Sequence, residues 1–197
     1  MLCVYWLLLM VHQVDVVVLG AGASGLMLAA EAGKRGRSVV VLEKANKVGK
    51  KILMSGGGKC NFTNLDVEPT HFLSENPHFV ISALSRYSNW DFIGLVGDYG
   101  IAYEERKHGQ LFTLNGAKEI LELLLSECDK SQQVQIQTHC EVKQVQALPN
   151  SGFNLETNQG IYQCESLVVA TGGLSIPTLG GSGFGYELAQ QFGHQVF

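Results

Sequence analysis

The chain has 197 residues, enough for one domain or two small ones with a full hydrophobic core and no disulfide or metal staple. Hydrophobic residues make up 46% and charged ones only 16%, which excludes a disordered chain. A net charge of −4 without any basic stripe argues against nucleic acid as a partner. Glycine stands out, with 23 against only 4 prolines. The glycines cluster at 20–25, 56–58, 172–173 and 180–185, where the backbone is expected to approach something closely. Five cysteines (Cys3, Cys60, Cys128, Cys140, Cys164) form an odd set without CxxC spacing. His12, His71, His78, His108, His139 and His194 show no ligand spacing either. No disulfide framework and no metal site are expected, and a reducing cytoplasm is the indicated compartment.

In chain order, residues 1–11 (MLCVYWLLLMV) form an unbroken apolar run. It is shorter than the ~20 residues a membrane helix needs. It also lacks a basic lead and a small-residue cleavage site. Residues 1–12 are expected to be an N-terminal extension, with no membrane partner, and a chain begun at Met10 is expected to be as soluble as the whole. Residues 15–19 (DVVVL) predict a buried parallel strand, and residues 26–32 predict a helix closed by Gly33 and Gly36. Residues 38–42 predict a second buried strand ending at Glu43, completing a β-α-β unit.

Residues 66–108 read as helices and turns, and 117–128 as an amphipathic helix. A mainly helical insertion is therefore expected at about 66–130, inside a domain spanning 13–197. Strands are predicted at 134–138, 141–147, 153–157, 161–164 and, separately, 167–170, with a last helix from Gly185. The fold class implied is α/β: a Rossmann-like dinucleotide-binding fold with a parallel sheet, a β-meander and a helical insertion.

The first motif is Gly20-Ala21-Gly22-Ala23-Ser24-Gly25 between strand and helix, with Glu43 at the end of the next strand. That context makes it a dinucleotide fingerprint. Gly20 permits the tight turn, Gly22 admits the pyrophosphate, and Gly25 lets helix and strand pack closely. Free N–H groups at Ala23 and Ser24, on the helix N-terminus, face the phosphates. Glu43 is placed to accept ribose hydroxyls and to repel a ribose 2′-phosphate. A second motif runs from Lys51 to Asn64, with Ser55-Gly56-Gly57-Gly58 at its centre. Three consecutive glycines suggest a loop against a flat ligand, with Ser55, Asn61 and Thr63 bonding its polar edges. Lys59 could stabilise an anionic reduced flavin. Cys60 is either a redox thiol or a small residue packed in a tight loop, and the second reading is favoured.

The segment Leu42-Glu43-Lys44 with Gly49-Lys50-Lys51 resembles the extended fingerprint of glutathione-reductase-like flavoproteins. The run ending Ala170-Thr171-Gly172-Gly173 resembles their strand-plus-ATG element. By that resemblance Lys44, Lys51, Gly56, Gly57, Ala170, Thr171 and Gly172 line FAD, and Val142 holds its adenine through backbone groups. The run GAGASGLMLAAEAGKRGRSVVVLEKANKVGKKILMSGGGKCNFTN is similar to the opening of the bacterial BaiN/YhiN-like, aminoacetone oxidase-type flavoprotein family. The likeness continues through Glu105, Arg106, Gly109 and Phe112 and the segment ATGGLSIPTLGGSGFGYELAQQFGH. Departures are Gln110 and Thr113, where that family commonly has Arg and Pro, and a length about half the family's.

The resemblance implies an FAD-dependent oxidoreductase that exchanges a hydride with a small organic substrate, with NAD(P)H as electron donor, of which this chain is an N-terminal portion. It names no catalytic side chain and leaves the oligomeric state open. A non-catalytic FAD- or ADP-binding fragment is the alternative, and an NAD-dependent dehydrogenase a third that the Ser-Gly-Gly-Gly block argues against.

Overall fold

The computed structural model describes residues 11–174 and 183–196. Most of the apolar leader, and Gly180 and Gly181, lie outside these described residues. The chain divides into two compact units, Met1–Lys51 with Leu124–Phe197, and Ile52–Leu123.

The first unit opens with β1 (Val11–Leu19), buried from Val16 onward, followed by α1 (Ala23–Lys34) and β2 (Val39–Leu42). Residues 25, 26, 29, 30 and 33 are the buried stripe of α1, spaced three and four apart as a one-faced helix requires. β2 runs parallel to β1, pairing Val17 with Val40 and Leu19 with Leu42. The chain leaves this unit within α2 (Lys50–Met54).

In the second unit, β3 (Asn61–Asn64), α3 (Ile81–Arg86), α4 (Asn89–Asp98), β4 (Tyr103–Glu105) and β5 (Gln110–Thr113) follow. The strands form an antiparallel sheet in the order β3-β5-β4. α3 and α4 fall in the stretch 66–108 read as helices and turns, but its end holds β4, and β5 follows within the expected helical insertion. Strands of three or four residues, with polar Glu104, Glu105 and Gln110 among them, give too little alternation to register as a period. Ser88 and Asp91 form a reciprocal cap that starts α4, and the Phe62 ring meets Phe92 and Tyr103 edge-on.

The chain returns to the first unit through α5 (Lys118–Lys130). Then come β6 (Val134–Gln137), β7 (Val142–Ala147), β8 (Phe153–Thr157), β9 (Gly160–Val169) and α6 (Phe184–Gln191). The six-stranded sheet has the order β6-β2-β1-β9-β8-β7. β6, β2, β1 and β9 are parallel, and β8 and β7 are antiparallel additions.

The two strands expected at 161–164 and 167–170 are one. β9 is continuous over ten residues, pairing with β8 through Gly160–Cys164 and with β1 along nearly its whole length. The polar Glu165-Ser166 pair looked like a break, but the register with β1 carries across it, Val14 pairing with Cys164 and Val16 with Ser166. β1 likewise begins earlier than the predicted residue 15, because Val11 and His12 pair with Ile161 and Tyr162.

One sheet face presents Val17, Leu19, Val40, Leu42, Leu155, Tyr162 and Cys164 to Leu188 of α6. The alternate residues Val16, Val18, Val39 and Val41 are buried on the other face, and α1 packs on β1, β2 and β6. Glu127, only 3% exposed, is paired by Lys34 at 2.7 Å and Lys130 at 2.5 Å, so its charge is compensated.

Candidate dinucleotide site

In the first unit, three segments meet at the C-terminal ends of the adjacent strands β2, β1 and β9, the edge where parallel α/β sheets bind ligands. Gly20 has φ +104, and a Cβ there would stand 2.6 Å from the Ala170 carbonyl oxygen. A Cβ on Gly25 would stand 2.0 Å from the Gly20 oxygen and 3.4 Å from the Ala170 methyl. Both positions exclude a side chain by close backbone approach. Gly22 is different: it caps α1 with φ −88, and among the described residues nothing lies within 4 Å of where its Cβ would be. No side chain caps this helix. The first-turn N–H groups, those of Ala23 and Ser24 among them, are therefore left for a ligand in that open space. A cradle that is tight behind and empty in front fits a diphosphate.

Glu43 is more engaged than its sequence position suggested. Its Oε2 accepts from the Ala21 N–H at 2.9 Å and its Oε1 from the Ala45 N–H at 2.8 Å. Its own N–H donates to Gln137 O and its carbonyl accepts from Cys140 N–H, at 2.8 and 2.9 Å. The carboxylate thus ties the glycine turn to the end of β2, and each oxygen keeps a lone pair for a ribose hydroxyl. Lys44 is exposed and pairs with Glu141 at 2.7 Å, a bond that holds the Glu141 carboxyl below its usual range. It therefore braces the 139–142 crossing, beside which Val142 begins β7 with its side chain packed against the core.

Ala170 N–H donates to Leu19 O at 2.8 Å, fixing the Thr171-Gly172-Gly173 turn next to Gly20. Gly172 has φ +74, and the Lys51 ammonium lies 3.5 Å from the Gly173 carbonyl oxygen. Glycine-turn, Glu43, Lys51 and Ala170–Gly172 candidates are therefore gathered in this unit.

In the second unit, the Ser55–Gly58 turn places Gly56, Gly57 and Gly58 at φ +56, +66 and +89, all left-handed. A Cβ on Gly56 would stand 2.6 Å from the Phe112 ring, whereas the Cβ positions of Gly57 and Gly58 have nothing within 4 Å among the described residues. Ser55 Oγ donates to Ile52 O at 2.7 Å. The Asn61 side-chain amide lies beside Leu111 O and Thr63 O, and with its nitrogen turned to them it donates to both, at 3.2 and 3.0 Å, within its own sheet. Cys60 is 5% exposed, and burial pushes its thiol up, with the Ser55 hydroxyl partly offsetting this. That environment suppresses the thiolate and supports packing over redox chemistry. Arg106 stacks over Phe112 at 4.1 Å and pairs with Glu104 at 2.7 Å.

At the opposite, N-terminal end of the large sheet, a cleft of about 340 Å³ is lined by Gln13, Asp15, Ser38 and Gln163, among others. Asp15 there is committed to the Ser38 N–H and hydroxyl at 2.8 and 3.0 Å, which hold its carboxyl below the usual range. The residue that spacing did not single out is Tyr186, whose hydroxyl reaches the Gly173 turn. No local motif announces it, because it lies on a separate helix. Among the described residues, no group of three or more His, Cys, Asp or Glu side chains could hold a metal, and no helix is long and apolar enough to cross a membrane.

The HI0933-like protein Rossmann domain family matches residues 14–197. The chain belongs to this family. The HI0933-like chain is 54% identical over 183 residues to a Haemophilus influenzae protein named ribosomal RNA dihydrouridine synthase, covering 91% of this chain and 45% of that protein. It is 29% identical over 182 residues to a Clostridium scindens 3-dehydro-bile acid delta(4,6)-reductase, covering 91% and 44%. It thus spans about half the length of these curated relatives. In structure it resembles a Rhodococcus jostii 3-ketosteroid-delta4-(5alpha)-dehydrogenase with TM-score 0.61 at 17% identity, covering 83% of this chain and 46% of that one. That likeness supports the Rossmann-type α/β fold of the HI0933-like domain.

Proposed function

We propose that this chain is the FAD-holding portion of an oxidoreductase that reduces a ring carbon–carbon double bond conjugated to a carbonyl. The observation that carries the reading is the Gly20–Gly25 cradle, closed behind by Ala170 and open in front of Gly22, with Glu43 beside it. A flavin supplies two-electron hydride chemistry when bound. In this unit the α1 N-terminus would take the diphosphate, and Glu43 the adenosine ribose while it keeps the turn in shape. Val142, starting β7 beside the crossing tied to Glu43, is the candidate to meet the adenine. The Glu43 carboxylate disfavours a 2′-phosphate in the same pocket, so NAD(P)H would act as a donor from elsewhere. Taken by itself, the second unit presents the bare Gly57–Gly58 backbone, in one segment with Ser55, Gly56 and Asn61, as a surface suited to a flat ring.

The two relatives' names share one chemistry. Dihydrouridine is uridine with its enone-like 5,6 double bond saturated, and a delta(4,6)-reductase saturates double bonds in a ring bearing a ketone. The higher identity to the ribosomal RNA enzyme favours a uracil ring in RNA, while the net charge of −4 favours a small cyclic enone. The cytoplasm is the compartment that fits either source. A second reading, a dinucleotide-binding portion without turnover of its own, is favoured by the 45% coverage of that relative.

The test is to purify the chain, add FAD and NADH, and offer unmodified ribosomal RNA or 2-cyclohexenone. Bound flavin reoxidised by RNA, with dihydrouridine formed, supports the RNA substrate; reoxidation by cyclohexenone alone supports the small one. Bound flavin with neither reaction supports the second reading, and no bound flavin overturns the proposal.

A further inference from the structure

Two polar groups from distant parts of the chain meet on one turn. Gly172 and Gly173 carry no side chains, and the space beside them is taken by Lys51 and Tyr186. The Lys51 ammonium lies 3.0 Å from where a Cβ on Gly172 would stand, and 3.5 Å from the Gly173 carbonyl oxygen. The Tyr186 hydroxyl lies 2.7 Å from where a Cβ on Gly173 would stand. Gly185, the residue before it, sits as close to the turn, with its Cβ position 3.0 Å from Thr171 Oγ1. Tyr186 is 42% exposed, so its hydroxyl is not there to fill a core.

The location says what this pair would meet. Ala170, one peptide before Thr171, is the residue that closes the back of the phosphate turn against both Gly20 and Gly25. An ammonium and a phenolic hydroxyl are hydrogen-bond donors, and the contact that Lys51 makes among the described residues, a long one to a neutral carbonyl, leaves capacity for an anion. The nearby carboxylate, Glu187 on the same helix as Tyr186, lies toward Gly183 at 3.6 Å from its Cβ position.

We propose that Lys51 and Tyr186 form an anion subsite on the Gly172–Gly173 turn that takes the diphosphate of a bound dinucleotide. Lys51 supplies the charge, Tyr186 a directed hydrogen bond, and the paired glycines leave room for both. This rests on the dinucleotide reading above and adds to it a group that the glycine fingerprint does not contain.

The experiment is a calorimetric titration of the full chain with ADP and, separately, adenosine. Lys51→Met should weaken ADP about tenfold, the loss of one charge-assisted contact. Tyr186→Phe should weaken it about threefold, the loss of one neutral hydrogen bond. Adenosine affinity should not change in either, and Lys51→Arg should restore part of the loss. The Lys51→Met variant should also show a weaker salt dependence of ADP binding. Thermal melts of all variants should match the parent, because neither side chain is buried. Unchanged ADP affinity in both variants would overturn the subsite while leaving the cradle intact. Equal losses for ADP and adenosine would reduce the pair to a structural brace. A parent chain that binds neither ADP nor FAD would sink the dinucleotide reading itself, and the subsite with it.

Discussion

The two glycine-rich loops use glycine for different physical reasons. In the Gly20–Gly25 turn, Gly20 and Gly25 are required because backbone presses on them, with Cβ positions 2.6 and 2.0 Å from carbonyl oxygens. Gly22 has an ordinary φ of −88 and, among the described residues, nothing within 4 Å of its Cβ position. In the Ser55–Gly58 turn, backbone conformation makes the demand: all three glycines are left-handed, yet two of them face open space. The first loop is shaped chiefly by packing, with Gly20 left-handed as well at φ +104, and leaves space at Gly22 among the described residues. The other is shaped by torsion angles and presents bare backbone. The lesson is that a glycine cluster in a sequence does not by itself say which residue the fold needs and which a ligand needs.

The sharpest way to break this comparison is Gly25→Ala. Its methyl would meet backbone that cannot move aside, so unfolding stability should fall by about 3 kcal/mol or more, read by denaturant titration. A stable Gly25→Ala protein would mean that α1 and the turn are not pressed together as described. Gly22→Val should separate fold from binding. Stability should stay within about 1 kcal/mol of the parent, since only a helix cap is altered. Flavin or ADP affinity should drop about ten- to hundredfold as the methyls fill the phosphate space. Retained flavin after gel filtration of that variant would remove Gly22 from the site.

Gly57→Ala probes the second loop. With nothing to clash, the cost should be only the left-handed strain of about 1–2 kcal/mol. Gly57→Asn should cost less, because Asn tolerates that region. If Ala and Asn were equally harmless, torsion would not be the reason for glycine there.

The smallest effect concerns Cys60, at the end of the same loop. Burial raises its folded pKa above that of an ordinary thiol. The folded chain then holds a proton that the unfolded chain releases. This contribution to stability is complete below about pH 9 and is lost as pH rises beyond it. Iodoacetamide at pH 8 should therefore modify native Cys60 far more slowly than the unfolded chain, followed by peptide mass. Labelling as fast as a free thiol would reopen a redox role for this loop.

Much of the first unit was legible from local pattern. The β-branched run at 16–19, the glycines after it and the small-residue stripe of α1 all act within a few residues of one another, so their spacing carries the geometry. The second unit was less legible. Its strands are short, and the Ser55-Gly56-Gly57-Gly58 turn depends on Phe112, a residue more than fifty positions away. Cys60 reads as a packed residue because no second thiol lies near it in the sequence, and the fold leaves it 5% exposed.

By itself the sequence determined a strand–turn–helix–strand unit with an acid at its end, because periodicity and glycine placement are local constraints on the backbone. Only the tertiary structure decided the rest. It made β9 one strand, since pairing with β1 overrides the polar Glu165-Ser166 step. It bound the Glu43 carboxylate to Ala21 and Ala45, turning a ligand contact into a brace as well. It also brought Lys51 to a turn 122 residues away and set Tyr186 beside it. Contacts between residues so far apart depend on strand order in the sheet, and no spacing along the chain encodes that order.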